Sequence, residues 1–178
     1  MANLDFIKNT QLKETLDNAV KFIYVLYEQS KNDSHEELYL EETYRIIILY
    51  VVSAIEAILL YFYKERGELI TSIGYRSIHT LPGYIHKEEP GLPVVICVQK
   101  PVEKKEHQIG LYELVVFFKS KKLMQDVTAD KIIALNEVRN TLHFSKPRIQ
   151  KCDLSQVENA LGLLVHTLEN APRALAKK

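Results

Sequence analysis

Arg139-Asn140-Thr141-Leu142-His143-Phe144 sets an arginine, an asparagine and a histidine within about one helical turn. Arginine carries a rigid fork of donors that grips phosphate oxygens. Histidine both gives and takes a proton near neutral pH. Residues i and i+4 of a helix are neighbours, so Arg139 and His143 share a face. A guanidinium beside an imidazole is the minimum equipment for cutting a phosphodiester without a metal. The first holds the phosphate and its developing charge, and the second moves the proton.

The helix that positions these residues is expected to start at Thr128 as its cap and to run to about Phe144, before Pro147 ends it. On a helical wheel Leu135, Val138 and Leu142 form an apolar stripe. Arg139, His143 and Asn136 follow one shoulder of that stripe, with Ile132 among them, and Asn140 lies further from the core. The shoulder residues are therefore expected half-buried, in a cleft or across a seam with a second copy. Glu56, inside another helix, is the candidate buried counter-charge for Arg139. Lys146, Arg148 and Lys151 are candidates to steer phosphate toward the site. The plainer alternatives are a purely structural Arg139–Glu56 ion pair, a histidine that merely ends a helix, and a solvated charged loop.

Composition narrows the field. The 178 residues suffice for one domain with a core. Lys plus Arg and Asp plus Glu are both 23, a formal net charge of zero. Proteins that wrap long nucleic acid carry a basic excess, so a sequence-reading DNA-binding domain is disfavoured, while a local phosphate site is not. Cys97 and Cys152 stand apart, without a Cys-x-x-Cys, and are expected as reduced thiols. The spacing of His79, His86 and His107 fits no common ligand pattern, so neither a metal nor another cofactor is expected. Met1-Ala2-Asn3-Leu4-Asp5 lacks the basic start and apolar run of a signal peptide, and a cytoplasmic location is expected.

Along the chain, Leu12, Leu16, Ala19, Ile23 and Leu26 predict an amphipathic helix from Leu4 to about Gln29. Ser34-His35-Glu36-Glu37 has capping-box form and opens a long helix to about Arg66, closed by Gly67. Within it, only Ser53 and Glu56 are plainly polar between Ile46 and Tyr63, a length at which a membrane span must be weighed. Glu56 near the middle would cost about 2.5–3.5 kcal/mol there, so a central helix buried on most sides is expected instead. From 67 to 107, glycines and prolines cluster. Tyr75–Leu81 and Val94–Gln99 predict a small β-hairpin, followed by a charged loop over Lys100–His107. Leu111, Leu114, Val115 and Phe118 restore helical spacing, although Val115–Phe118 also reads as a short strand. Asp153-Leu154-Ser155-Gln156 offers another capping box, and Leu154, Val157, Leu161, Leu164, Val165 and Leu168 stripe a last helix, where Gly162 would permit a close helix contact. The expected fold is an all-α bundle of about five helices over 1–178, with a β insertion at about 67–107 between the second and third.

The segment Leu135-Asn136-Glu137-Val138-Arg139-Asn140-Thr141-Leu142-His143-Phe144 resembles the signature helix of HEPN domains (higher eukaryote and prokaryote nucleotide-binding). The long second helix with its acidic residue, Ala54-Ile55-Glu56-Ala57, and the final helix after a polar loop are compatible with that likeness. It covers most of the chain outside 67–107. The family motif is Arg, usually followed by Asn, His or Asp, then His after four to six intervening residues; here three intervene. The resemblance implies a small helical bundle that dimerises. In many members it implies a metal-independent endoribonuclease, a toxin paired with an antitoxin protein or a defence protein. RNA would be cut by attack of the 2′-hydroxyl on the adjacent phosphate, with His143 as general acid/base, Arg139 on the phosphate, and Asn140 orienting the site or capping backbone groups there. The alternative is a non-catalytic HEPN-like dimer that binds a nucleotide, an RNA or a partner protein in the same cleft.

Overall fold

The computed structural model describes residues 4–31, 36–85, 92–142 and 151–175. Among them are five α-helices: α1 (Thr10–Ser30), α2 (Glu37–Arg66), α3 (Leu111–Ser120), α4 (Asp126–Thr141) and α5 (Leu154–Leu175). A two-stranded antiparallel sheet, β1 (Thr71–Ile85) and β2 (Pro93–Glu103), and a 3₁₀ turn at Glu106–Gln108 lie between α2 and α3. The fold is thus mostly helical with one hairpin. The chain divides into two compact units, Met1–Glu68 with Gly110–Lys178, and Leu69–Ile109.

In the helical unit, α2 packs against α1, α3, α4 and α5. Its Ile47, Ile48, Val51, Val52, Ile55, Ile58 and Leu59 are fully buried, each such side chain contributing about 1.5–3 kcal/mol. The helix is long and apolar enough to cross a membrane, with a mean hydropathy of 2.2 over its most apolar window. Of that window 61% is buried inside the protein, against the neighbouring helices. Gly67 ends the helix in the left-handed region, at φ 63°, where its missing Cβ removes the steric penalty. Glu68 then binds both Arg66 and Lys121. The Lys121 ammonium, and after it the Arg66 guanidinium, holds the Glu68 carboxyl below the usual carboxylate range.

Several expected boundaries move. The first helix begins at Thr10 and not near Leu4, because Asn9 caps it by accepting the Leu12 N–H at 3.0 Å. The residues before it dock on α2. Leu4 and Ile7 are buried, the Tyr61 hydroxyl accepts from the Lys8 N–H at 3.1 Å and donates to the Phe6 carbonyl at 3.3 Å, and Phe6 stacks on Phe62. Ser34 and His35 of the expected capping box lie outside the described residues, and Glu36 makes no side-chain cap bond. Residues Val115–Phe118 are helical, and Leu111, Leu114, Val115 and Phe118 face the core. Thr128 lies inside the first turn of α4, since Gln125 is its N-cap, and α4 stops at Thr141. Phe144 and Pro147, the expected end, lie outside the described residues.

The last helix opens on a capping box in which Asp153 Oδ1 accepts the Gln156 N–H at 2.8 Å and Gln156 Oε1 accepts the Asp153 N–H at 3.1 Å. Asp153→Ala is expected to lower stability by about 1 kcal/mol, read as a shifted urea midpoint at unchanged slope; an unmoved midpoint would refute the cap. The buried stripe of α5 is Val157, Ala160, Leu164, Thr167 and Leu168, while Leu154 and Val165 are exposed. The Thr167 hydroxyl is satisfied by the Leu163 carbonyl at 2.8 Å. Gly162 is exposed with open space where a Cβ would stand, so it serves no close helix contact.

The hairpin unit is larger than expected. Its ladder runs from Thr71↔Glu103 through Tyr75↔Gln99 to Ser77↔Cys97, then shifts at Ile78 to resume at His79↔Ile96. Residues Lys100–Glu103 are therefore strand and not loop. Alternating β-branched and aromatic residues favour the pleat, and both strands remain largely exposed.

Candidate anion-binding site

The last turn of α4 carries the expected constellation on its half-buried flank. Ile132 and Leu135 are buried, Asn136, Val138 and Arg139 are half-buried, Asn140 is exposed, and Leu142 turns inward just past the helix. Ile132 thus belongs to the core and not to the shoulder. A cation in the last turn also suits the negative end of the helix dipole.

The tertiary fold brings Glu56 of α2 to Arg139. Arg139 Nη1 lies 3.3 Å from Glu56 Oε2 and 3.4 Å from Asn136 Oδ1. The side chains of Arg139 and Glu56 are 27% and 25% exposed, so the counter-charge is half-buried rather than buried. Both contacts are long for charge-assisted hydrogen bonds and both use the same nitrogen. Nε and Nη2 make no bond to the described residues. Asn136 sits one turn before Arg139 and braces it; Asn140, at the exposed edge, does not join this group.

His143, Lys146 and Arg148 lie outside the described residues. Lys151 forms an exposed ion pair with Glu37 at 2.9 Å, so it is engaged at the start of α2. Among the described residues no three His, Cys, Asp or Glu side chains gather to hold a metal ion.

A buried charge that composition did not single out is Arg45. It is 5% exposed, donates to Glu41 Oε1 from Nη2 at 2.5 Å, and lies 3.8 Å from Glu42 Oε1 through Nε. The i, i+4 spacing of Glu41 and Arg45 is the available signal, although it does not reveal burial. Cys152 lies within electrostatic reach: burial pushes its thiol up, and Arg45 only partly offsets this. Such a thiol is a poor nucleophile. Cys97 is a free, exposed thiol in β2.

Compared with protein-family models, with curated proteins and with solved structures, the chain matches none.

Proposed function

We propose that this chain is a HEPN-like, metal-independent endoribonuclease of the toxin or defence type, acting in the cytoplasm as a homodimer. The observation that carries this reading is Arg139: a half-buried guanidinium at the end of α4, braced by Asn136 and loosely held by Glu56, with Nε and Nη2 unbonded to the described residues. His143, four residues on in the sequence, would move the proton between the 2′-hydroxyl and the leaving oxygen, while Arg139 stabilises the charge on the phosphoryl oxygens. The exposed apolar side chains Phe22, Val25, Ile46 and Tyr50 support a second copy as partner. The rings of Phe22 and Tyr50 lie 5.0 Å apart, and Ser53 follows Tyr50 on the same side of α2, toward Glu56. The test is cleavage of RNA by purified protein in EDTA, lost in Arg139→Ala and in His143→Ala.

A second reading, a non-catalytic module that binds a nucleotide, an RNA or a partner such as an antitoxin protein, is favoured by the Arg139–Glu56 contact itself. A guanidinium that already has a counter-ion serves binding as readily as chemistry. In either case Glu56 competes with the anion. Glu56→Gln is expected to tighten binding of a nucleoside monophosphate by up to about fivefold, the worth of one partly exposed ion pair, measured by titration calorimetry. Weaker binding would instead make Glu56 the group that aims Arg139.

A further inference from the structure

The hairpin has two edges of unequal character. Lys104 N–H donates to the Ile70 carbonyl at 2.9 Å, in line with the register that pairs Thr71 with Glu103 and Ser72 with Val102. Hydrogen-bonded pairs alternate along an antiparallel ladder. Ser72, Gly74 and Arg76 therefore aim their amides at β2, while Thr71, Ile73, Tyr75 and Ser77 aim theirs outward. On β2 the outward set includes Pro101, opposite Ile73, which has no N–H to offer. Proline at such a position blunts an edge against further pairing. The β1 edge carries no proline between Thr71 and Ser77. It offers outward donors and acceptors over about 20 Å.

The same register sorts the side chains. One face carries Arg76, His79 and Lys100 with Val98, Val102 and Ile96, and holds no acidic residue in the paired segment. Arg76 and Lys100 are exposed diagonal neighbours and make no ion pair among the described residues. The other face presents Ile73 and Tyr75, 66% and 68% exposed. A two-stranded ribbon is marginal alone in water, and a third strand stabilises it.

We propose that the β1 edge is a docking site for an extended segment of a partner protein that alternates acidic and apolar residues. The segment adds as a third strand, with its acids beside Arg76 and its apolar side chains on Ile73 and Tyr75. A second copy of β1 fits less well. A two-fold antiparallel pairing puts the Arg76 side chains of both copies on one face, unopposed by acid. Single-stranded RNA fits less well too, because the paired segment's cationic face carries no Phe, Tyr or Trp on which bases stack, Tyr75 being on the other face.

The test uses the full chain and a blocked decamer of alternating valine and glutamate, whose like charges oppose its self-pairing. Hydrogen exchange read by NMR is expected to slow at the Thr71, Ile73, Tyr75 and Ser77 amides and to stay unchanged at Ser72, Gly74 and Arg76. Arg76→Gln is expected to weaken binding about three- to fivefold and Arg76→Glu more than tenfold. Tyr75→Pro, which removes an outward donor without touching the β1–β2 ladder, is expected to abolish it. Equal affinity for a valine–lysine decamer, protection at Cys97 and Gln99 instead, or binding of decauridylate but not the peptide would each overturn the proposal. So would concentration-dependent protection of the β1 edge in the protein alone, which would assign that edge to a second copy.

Discussion

Replacing Arg139 by alanine is expected to lower RNA cleavage in EDTA about 10²–10³-fold, the usual loss when one donor to a developing oxyanion is removed. The fold should survive. The Arg139–Glu56 pair is about a quarter exposed on each side, and such pairs contribute about 0–1 kcal/mol after solvent screening. A lost rate at a nearly unchanged melting temperature therefore reports on chemistry. Arg139→Lys keeps the charge and loses the planar fork, and should recover only part of the rate. Activity that persists in Arg139→Ala or in His143→Ala would sink the nuclease reading. Wild-type protein that binds a nucleotide at Arg139 but leaves RNA intact would transfer the same residues to the binding module.

The largest expected effect on stability is at Phe118. It has no exposed surface, its ring meets Phe117 edge-on at 5.2 Å, and Phe117 in turn meets Tyr63 of α2 at 5.3 Å. Phe118→Ala removes a large buried ring and leaves a cavity, which costs about 3–5 kcal/mol. Against a typical total of about 5–15 kcal/mol, that brings the helical unit near its unfolding threshold. Val116, on the exposed side of the same helix, should change stability by less than about 0.5 kcal/mol when cut to alanine. Denaturant titration of both variants, followed by helical circular dichroism, checks the pair. A Phe118→Ala loss under about 1 kcal/mol would mean that α3 does not pack as described.

Local signals located the elements where chemistry and period agreed. The i, i+3, i+4 spacing of Leu111, Leu114, Val115 and Phe118 marks the inner face of α3, Gly67 marks the end of α2, and Asp153 with Gln156 marks the start of α5. Each is a contact within one turn of chain, and nothing distant can overrule it cheaply. The errors have the opposite cause. Leu4 and Ile7 continue the period of α1 and are buried, but their segment is held outside that helix by Phe6 and Lys8, which meet Tyr61 and Phe62 of α2 across more than 50 positions of sequence. Val165 and Leu154 are apolar yet exposed on α5, while Ala160 and Thr167 are buried, because the facing helices decide which flank of a stripe is covered.

The candidate site divides along the same line. The sequence by itself determined that Asn136 and Arg139 share a flank of one helix, since that follows from helical pitch alone, and that the second helix is apolar enough to need covering almost all round. Only the tertiary structure decided that Glu56 meets Arg139, that the pair stays half open to water, and that Arg45 is buried with Glu41. The first two depend on how α2 meets α4, and the last on what packs over the first turns of α2, which no single helix encodes. The hairpin makes the same point at its edges. Composition predicts strands, but only the pairing register puts Pro101 on one outer edge and leaves the other free, because a shift of one residue would exchange every inward amide for an outward one.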